Sequence, residues 1–399
     1  MTNKKSKIDA HNNAIKNNGP IKICMISGSY PPIKDGVGDG VQILLEKVSS
    51  QDNKIDIFLL TSQEVQNDPN NKLIYPIIRN WNWASLPKII RVIKLHKPQI
   101  VHIQYPTVKY GRHPMINFLP LFLKILMKDV KIILSLHEYA SYTILGKMRI
   151  YPLVKWSDYI ITADERNRNE VKRRFRKKKV NSIPTGNQIL MKIGEKETAK
   201  MPNRADFIFS YWGFIRRGKG VDVFLKAFSR VVKLSKQRNI KLILLADLSN
   251  KDRYHKMLSK LIQKENLVER VEVIGYLPKE TLVKYLLQSD CCVLPFIDGV
   301  TERRGTFIAS MQLGIPTITT SGSFLPEGLV DRDNVILVKP NDVENLSDAM
   351  IEIMYDAKLR LQLARNAREW GKRFLWDNIV ERFIRTYKEA LLESTSIDS

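Results

Sequence analysis

The chain has 399 residues and carries 65 Lys+Arg against 41 Asp+Glu, a formal charge of +24 at pH 7. At about 150 residues per domain, two domains are expected. An apolar share of 44% and a charged share of 27% exclude a mostly disordered chain, while the charge points to polyanionic partners or to a Lys-rich surface with none.

Residues 1–20 are polar and Asn/Lys-rich, so they predict a disordered tail without a secretory signal. Residues 21–28 (IKICMISG) read as a strand, 29–40 as a glycine-rich loop, and VQILLEKV after it as a helix. Residues 54–61 form a second strand, and 86–98 a helix stopped by Pro98. Further strands are expected at 99–106, 130–139 and 157–164, then a basic helix and 180–186. The apolar run 116–127 is too short to span a bilayer and holds Pro120 and Lys124. Periodicity fades across 188–206, which reads as a linker centred on 191–205. A second alternation follows, with strands at 206–213, 240–247, 270–277, 291–296, 316–320 and 334–339, and 345–392 is helical throughout. Short β-branched runs alternating with helices predict two doubly wound α/β domains with parallel sheets, Rossmann-like halves facing a cleft.

Cys24, Cys291 and Cys292 lie in apolar runs without framework spacing, which favours a reducing compartment and argues against zinc. A soluble cytoplasmic protein is the expectation.

Three strand-to-helix turns could carry chemistry. In the first, Gly36, Val37 and Gly38 offer backbone to a ligand at a helix start, or form a tight turn only. The second, GFIRRGKG at 213–220, sets Arg216, Arg217 and Lys219 where an anion meets a helix N-terminus. The third places Arg303, Arg304, Gly305 and Thr306 at another helix start. Solvated basic turns are the bland alternative for both. His137 ends a strand and should reach a ligand, with Glu138 or a substrate hydroxyl as partner. His102 reads as a packed core histidine. Asp331-Arg332-Asp333 reads as a turn rather than a metal motif. The run 166–179 holds nine cations, including Lys172, Arg173, Arg174, Arg176, Lys177, Lys178 and Lys179, against Glu170 alone. It fits an anionic lipid surface, with a solvated helix face as the alternative; its lack of interleaved aromatics ranks nucleic acid lower.

The order YPP…GVGD, VHIQYP, SLHEY, GFI…KG, VIGYLP, LPF…RRGT…GIP resembles the GT-B glycosyltransferases of the retaining family 4 type (glycosyl transferases group 1), in a divergent R-R-G-[ST] branch. The resemblance covers about residues 21–390. It implies an acceptor-binding domain at 21–190, a nucleotide-sugar-binding domain at 206–372, and a C-terminal helix at 373–395 packing back on the first domain. It also implies a nucleotide-sugar donor, a glycan or lipid-linked acceptor in cell-envelope polysaccharide assembly, and no metal or other cofactor. His137, Lys219, Arg216 and Glu302 take the catalytic positions. Gly36, Val37, Gly38, Arg217, Arg303, Arg304, Gly305 and Thr306 take the donor phosphate and sugar. The usual Arg after the strand-end glycine is replaced by Phe214, and the E-x7-E positions fall on Thr301 and Ala309. A non-catalytic partner subunit and a GT-B epimerase or phosphorylase are the competing readings. The charge excess of +18 on residues 1–200, against +6 on 201–399, places an anionic membrane partner on the acceptor side; no nucleic acid is expected, and the localisation is cytoplasmic, extending to the inner membrane face.

Overall fold

The computed structural model describes residues 19–65, 73–186, 206–235, 239–249 and 252–392. The expected tail up to residue 18 and the linker at 191–205 lie outside them. The chain divides into two units, Met1–Ile183 with Val380–Ser399, and Pro184–Ile379.

The first unit contains β1 (Ile21–Ile26), α1 (Gly36–Gln51), β2 (Ile55–Ser62), β3 (Ile74–Ile78), α2 (Leu86–His96), β4 (Ile100–Tyr105), α3 (Met115–Leu126), β5 (Lys131–Leu136), α4 (Ile144–Trp156), β6 (Tyr159–Thr162), α5 (Glu165–Arg174) and β7 (Lys179–Ser182). Its strands form one parallel sheet in the order β3-β2-β1-β4-β5-β6-β7. Helices cover both faces of such a sheet, so central strands are buried on nearly every residue rather than alternately. Strands β1 and β4 show this, with Ile23, Cys24, Met25, Ile26, Ile100, Val101 and Ile103 all buried.

The second unit contains β8 (Asp206–Trp212), α6 (Val221–Leu234), β9 (Asn239–Leu245), α7 (Arg253–Lys264), β10 (Val271–Val273), α8 (Lys279–Leu287), β11 (Cys291–Leu294), α9 (Gly305–Leu313), β12 (Thr317–Thr320), β13 (Ile336–Val338), α10 (Val343–Tyr355) and α11 (Ala357–Gly371). Its parallel sheet runs β10-β9-β8-β11-β12-β13. Helix α12 (Trp376–Leu392) follows. From Val380 onward its residues group with the first unit, where Tyr387 is fully buried and Lys388 pairs with Asp52 at 2.8 Å.

In each sheet the strand order reverses once, between β1 and β4 and between β8 and β11. Ligands of doubly wound sheets bind beyond the carboxyl ends of the strands at this reversal.

Three expectations need correction. The sequence reading omits β3, because Pro76 interrupts its pattern; the strand lies at the sheet edge, where a missing N–H is tolerated. The strand expected at 270–277 shrinks to Val271–Val273, with Gly275 at φ +87° beyond it. The stretch expected to be helical throughout 345–392 is broken into three helices: Asp356 caps α11 by accepting from the Leu359 N–H, and a 3-10 turn at Lys372–Phe374 precedes α12. The apolar run at 116–127 is α3, which buries Ile116, Leu119 and Leu123 against the first sheet's core. No helix among the described residues is long and apolar enough to cross a membrane.

Candidate functional site

In the second unit, the loops after β8 and β11 lie against each other at the strand reversal. Gly213 has φ +111°, and a Cβ there would stand 2.8 Å from the Thr306 Cγ2. Gly220 has φ +67°, and its Cβ would meet the Pro295 carbonyl oxygen at 2.0 Å. Glycine alone permits this approach. The Ile297 N–H donates to the Gly218 carbonyl at 3.2 Å, closing the pair.

Cations gather on these loops. The Lys219 ammonium lies 4.9 Å from the centroid of the Phe296 ring, and the Arg304 guanidinium 4.6 Å from the same ring. Arg304 also pairs with Asp298. Burial, then the charges of Arg304 and Arg216, push Lys219 down to about 8, against the pull of Asp298. A lysine so depressed among cations has its charge favoured by an arriving anion. The Arg304 Nε is buried and has no hydrogen-bond partner. Both following helices begin without a side-chain cap: Gly220 stands at the N-cap of α6 and Arg304 at that of α9. Helix N-termini leave backbone N–H groups without intrahelical partners and carry partial positive charge. Two such ends, three cations and an orphaned guanidinium nitrogen fit a diphosphate.

The other residues expected here divide. Thr306 lies in the contact with Gly213. Arg303 is exposed. Arg217 is exposed too, and its charge acts on the Tyr254 hydroxyl, which donates to Asp222 at 2.7 Å; the charges acting on Lys219 are those of Arg304, Arg216 and Asp298. Glu302 is half-buried in the turn before α9. The empty E-x7-E position has a structural reason. Ala309 is fully buried, and Ser310 accepts from the Trp212 Nε1 at 2.9 Å and donates to the Thr306 carbonyl at 3.0 Å. This side of α9 is core. His255, which the sequence reading passed over, helps to hold the loop: its ring nitrogens lie 2.8 Å from the carbonyl oxygens of Ile215 and Ser249. A histidine in an amphipathic helix gives no sign of that in sequence.

In the first unit, Gly36–Gly38 opens α1, and its Val37 N–H is already engaged. The Asp35 carboxylate caps the helix, accepting from the Val37 N–H at 3.1 Å and from the Val108 N–H at 3.0 Å. Val37 is therefore corrected as an anion donor. Gly38 is glycine because a Cβ would stand 3.0 Å from the Ser29 backbone, whereas Gly36 borders open space.

His137 follows β5, and its Nε2 lies 2.9 Å from the Gln104 Oε1. The Gln104 Nε2 reaches the His102 Nε2 at 3.2 Å, which Ser135 Oγ also approaches at 2.8 Å. His102 Nδ1 meets the Tyr387 hydroxyl of α12 at 2.9 Å. Burial, then the charge of His137, holds His102 down to about 3, so its ring is neutral. The sequence reading named neither Gln104 nor Tyr387; the first is seen only once strands pair, the second only once α12 packs on the sheet.

The basic run also divides. Helix α5 carries Lys172, Arg173 and Arg174 in its last turn. Arg176 and Lys177 are exposed beyond it. Lys178 leaves the docking group: its ammonium donates to the Lys155 carbonyl at 2.6 Å and the Ser157 carbonyl at 2.5 Å, and burial lowers its pKa. Lys179 opens strand β7. Asp331 is exposed and accepts from the Leu337 N–H of its own segment, and Asp333 accepts from the Asn366 side chain of α11, both at 2.8 Å. Among the described residues no three His, Cys, Asp or Glu side chains gather as a metal site.

Residues 194–370 match the family described as Glycosyl transferases group 1. An uncharacterized glycosyltransferase of Methanocaldococcus jannaschii is 24% identical over 189 residues, 47% of this chain and 50% of that protein. A D-inositol 3-phosphate glycosyltransferase of Corynebacterium diphtheriae is 23% identical over 186 residues, 46% of this chain and 43% of that protein. The chain thus spans about half the length of the curated relatives it matches. Among solved structures, HepE of Anabaena in complex with UDP and glucose superposes with a TM-score of 0.62 at 13% identity, over 92% of this chain and 100% of that one. The fold is the GT-B architecture, and residues 194–370 match the glycosyl transferases group 1 family.

Proposed function

We propose that the protein transfers a glycosyl group from a nucleoside-diphosphate sugar to a glycan or lipid-linked acceptor, with retention and without a metal, in cell-envelope glycan assembly. The observation that carries this reading is the cluster of Lys219, Arg216 and Arg304 at two uncapped helix N-termini. As the sugar–phosphate bond breaks, charge builds on the leaving diphosphate. Fixed cations and helix ends already in place stabilise it without reorganising. The acceptor hydroxyl then attacks on the face the diphosphate leaves. His137, with Nε2 engaged by Gln104, is assigned to orient the sugar or acceptor. That HepE was solved with UDP and glucose supports a nucleoside-diphosphate sugar as donor. The exposed cations of α5 support an anionic membrane face as partner and a peripheral place there.

A donor screen that measures released nucleotide, followed by mass analysis of product with and without acceptor, tests this. Acceptor-dependent release with a mass gain of one sugar is expected. Acceptor-independent conversion means an epimerase, and phosphate-dependent release a phosphorylase. The buried Ala309 in place of a ribose-binding carboxylate favours one other reading, a non-catalytic subunit; absence of binding to every nucleoside-diphosphate sugar in the screen, by calorimetry, would favour it.

A further inference from the structure

A second cationic site lies in the first unit, three residues beyond the end of β5. A cavity of about 220 Å³ is lined by Tyr139, Lys147, Glu170, Arg173 and Arg174. Tyr139 is only 1% exposed, yet its hydroxyl has no hydrogen-bond partner. A buried hydroxyl left unpaired is costly unless something arrives to accept from it. The loop bearing it is fixed, because Asn167 Oδ1 accepts from the N–H groups of Tyr139 and Ala140 at 2.7 and 2.8 Å. Asn167 is itself gripped by the Asp164 carboxylate that caps α5.

The charge is unbalanced in one direction. Lys147 and Arg173 both reach Glu170 at 3.2 Å, so one carboxylate answers two cations, and Arg174 adds a third. The cavity therefore carries two more positive charges than negative, the charge of a phosphate monoester near neutral pH. Lys147 stands in the first turn of α4, where the helix dipole adds to the positive field. Burial raises the Tyr139 pKa, so the phenol remains a hydrogen-bond donor.

We propose that this cavity binds the phosphate group of a phosphorylated acceptor, with Tyr139 donating a hydrogen bond and Lys147, Arg173 and Arg174 supplying the charge. Tyr139 is two residues from His137 in the chain and packs with Leu136, Ile150 and Leu153 in the first unit's core. That the phosphate is the acceptor's rests on the glycosyl-transfer reading; that the cavity takes phosphate does not. The phosphate can be free in solution or a lipid headgroup. Helix α4 bears on the second source, since it exposes Ile144 (78%), Leu145 (77%) and Met148 (59%) beside Lys147.

The test is calorimetry of the full chain with inorganic phosphate, under saturating UDP so that the Lys219 cluster is occupied. Wild type binds, and Tyr139→Phe weakens binding roughly tenfold while the ring and the thermal midpoint are kept. Arg174→Ala weakens it by a similar factor, approximately tenfold. Co-sedimentation with phosphatidylcholine vesicles carrying phosphatidic acid is the second arm. Vesicle binding that free phosphate competes away, and that Tyr139→Phe weakens, assigns the site to a lipid phosphate. Phosphate binding without vesicle binding assigns it to a soluble phosphorylated acceptor. Absence of phosphate binding, or equal binding in wild type and both variants, overturns the proposal and leaves the donor reading standing. Failure of UDP and the other nucleoside diphosphates to bind removes the donor reading while a Tyr139-dependent phosphate signal keeps this one.

Discussion

The glycine-bearing turns after β1 and after β8 look alike in sequence, yet they treat a helix N-terminus in opposite ways. After β1, Asp35 fills the N-cap of α1 and takes the Val37 N–H, so one of the free N–H groups of the helix end is satisfied from within. After β8, Gly220 offers no side chain to α6, and Lys219 and Arg216 raise the positive potential there. The helix α9 repeats the second arrangement with Arg304 at its N-cap. A carboxylate cap competes with an incoming anion for the same N–H groups, whereas a glycine or arginine cap leaves them to it. The difference supports the proposal that a donor diphosphate is held by the second unit.

The strongest way to break this comparison is Lys219→Ala. Transfer should fall by an amount corresponding to about 3–4 kcal/mol of barrier, with the fold intact by circular dichroism. Turnover like that of the wild type would remove the cluster from the mechanism. The titration of the same lysine gives a narrower test. UDP binding favours protonated Lys219, so affinity should hold below pH 7 and decline as pH rises through about 8. Lys219→Arg should flatten that profile, because guanidinium does not titrate in the range.

On the other side, Asp35→Ala should cost about 1 kcal/mol of stability through the lost cap, measured by chemical denaturation. A gain in UDP affinity in that variant would blur the difference between the two turns. Tyr387→Phe should also cost about 1 kcal/mol, since it leaves the buried His102 Nδ1 without its partner. Its kcat should fall while UDP affinity holds; an unchanged kcat would reduce the chain of side chains to packing. Asp331→Ala should change transfer least, because that carboxylate serves the Leu337 N–H of its own turn.

Much of the fold is legible from pattern. The alternation of apolar runs and amphipathic helices is local, and it marks the parallel strands wherever β-branched residues are continuous. It fails at Pro76 and Gly275, where a backbone exception decides the strand's existence or length. At the site, the basic turn chemistry around Lys219 and Arg304 is legible because charge and glycine occur together. The difference between Arg216 and Arg217 is not legible: both are exposed in one turn, yet the charge of the first acts on Lys219 and that of the second on Tyr254. Nor is the inward use of Lys178, whose carbonyl partners come from the segment around Lys155 and Ser157.

By itself the sequence determined the two α/β halves, the buried cysteines and the cation-bearing turns, because each depends on residues near in the chain. Tertiary structure alone decided which N–H groups remain available, which cations share the Phe296 ring, and that Tyr387 reaches His102 across 285 positions. Those outcomes depend on strand order and helix packing, which bring together groups that no local pattern connects.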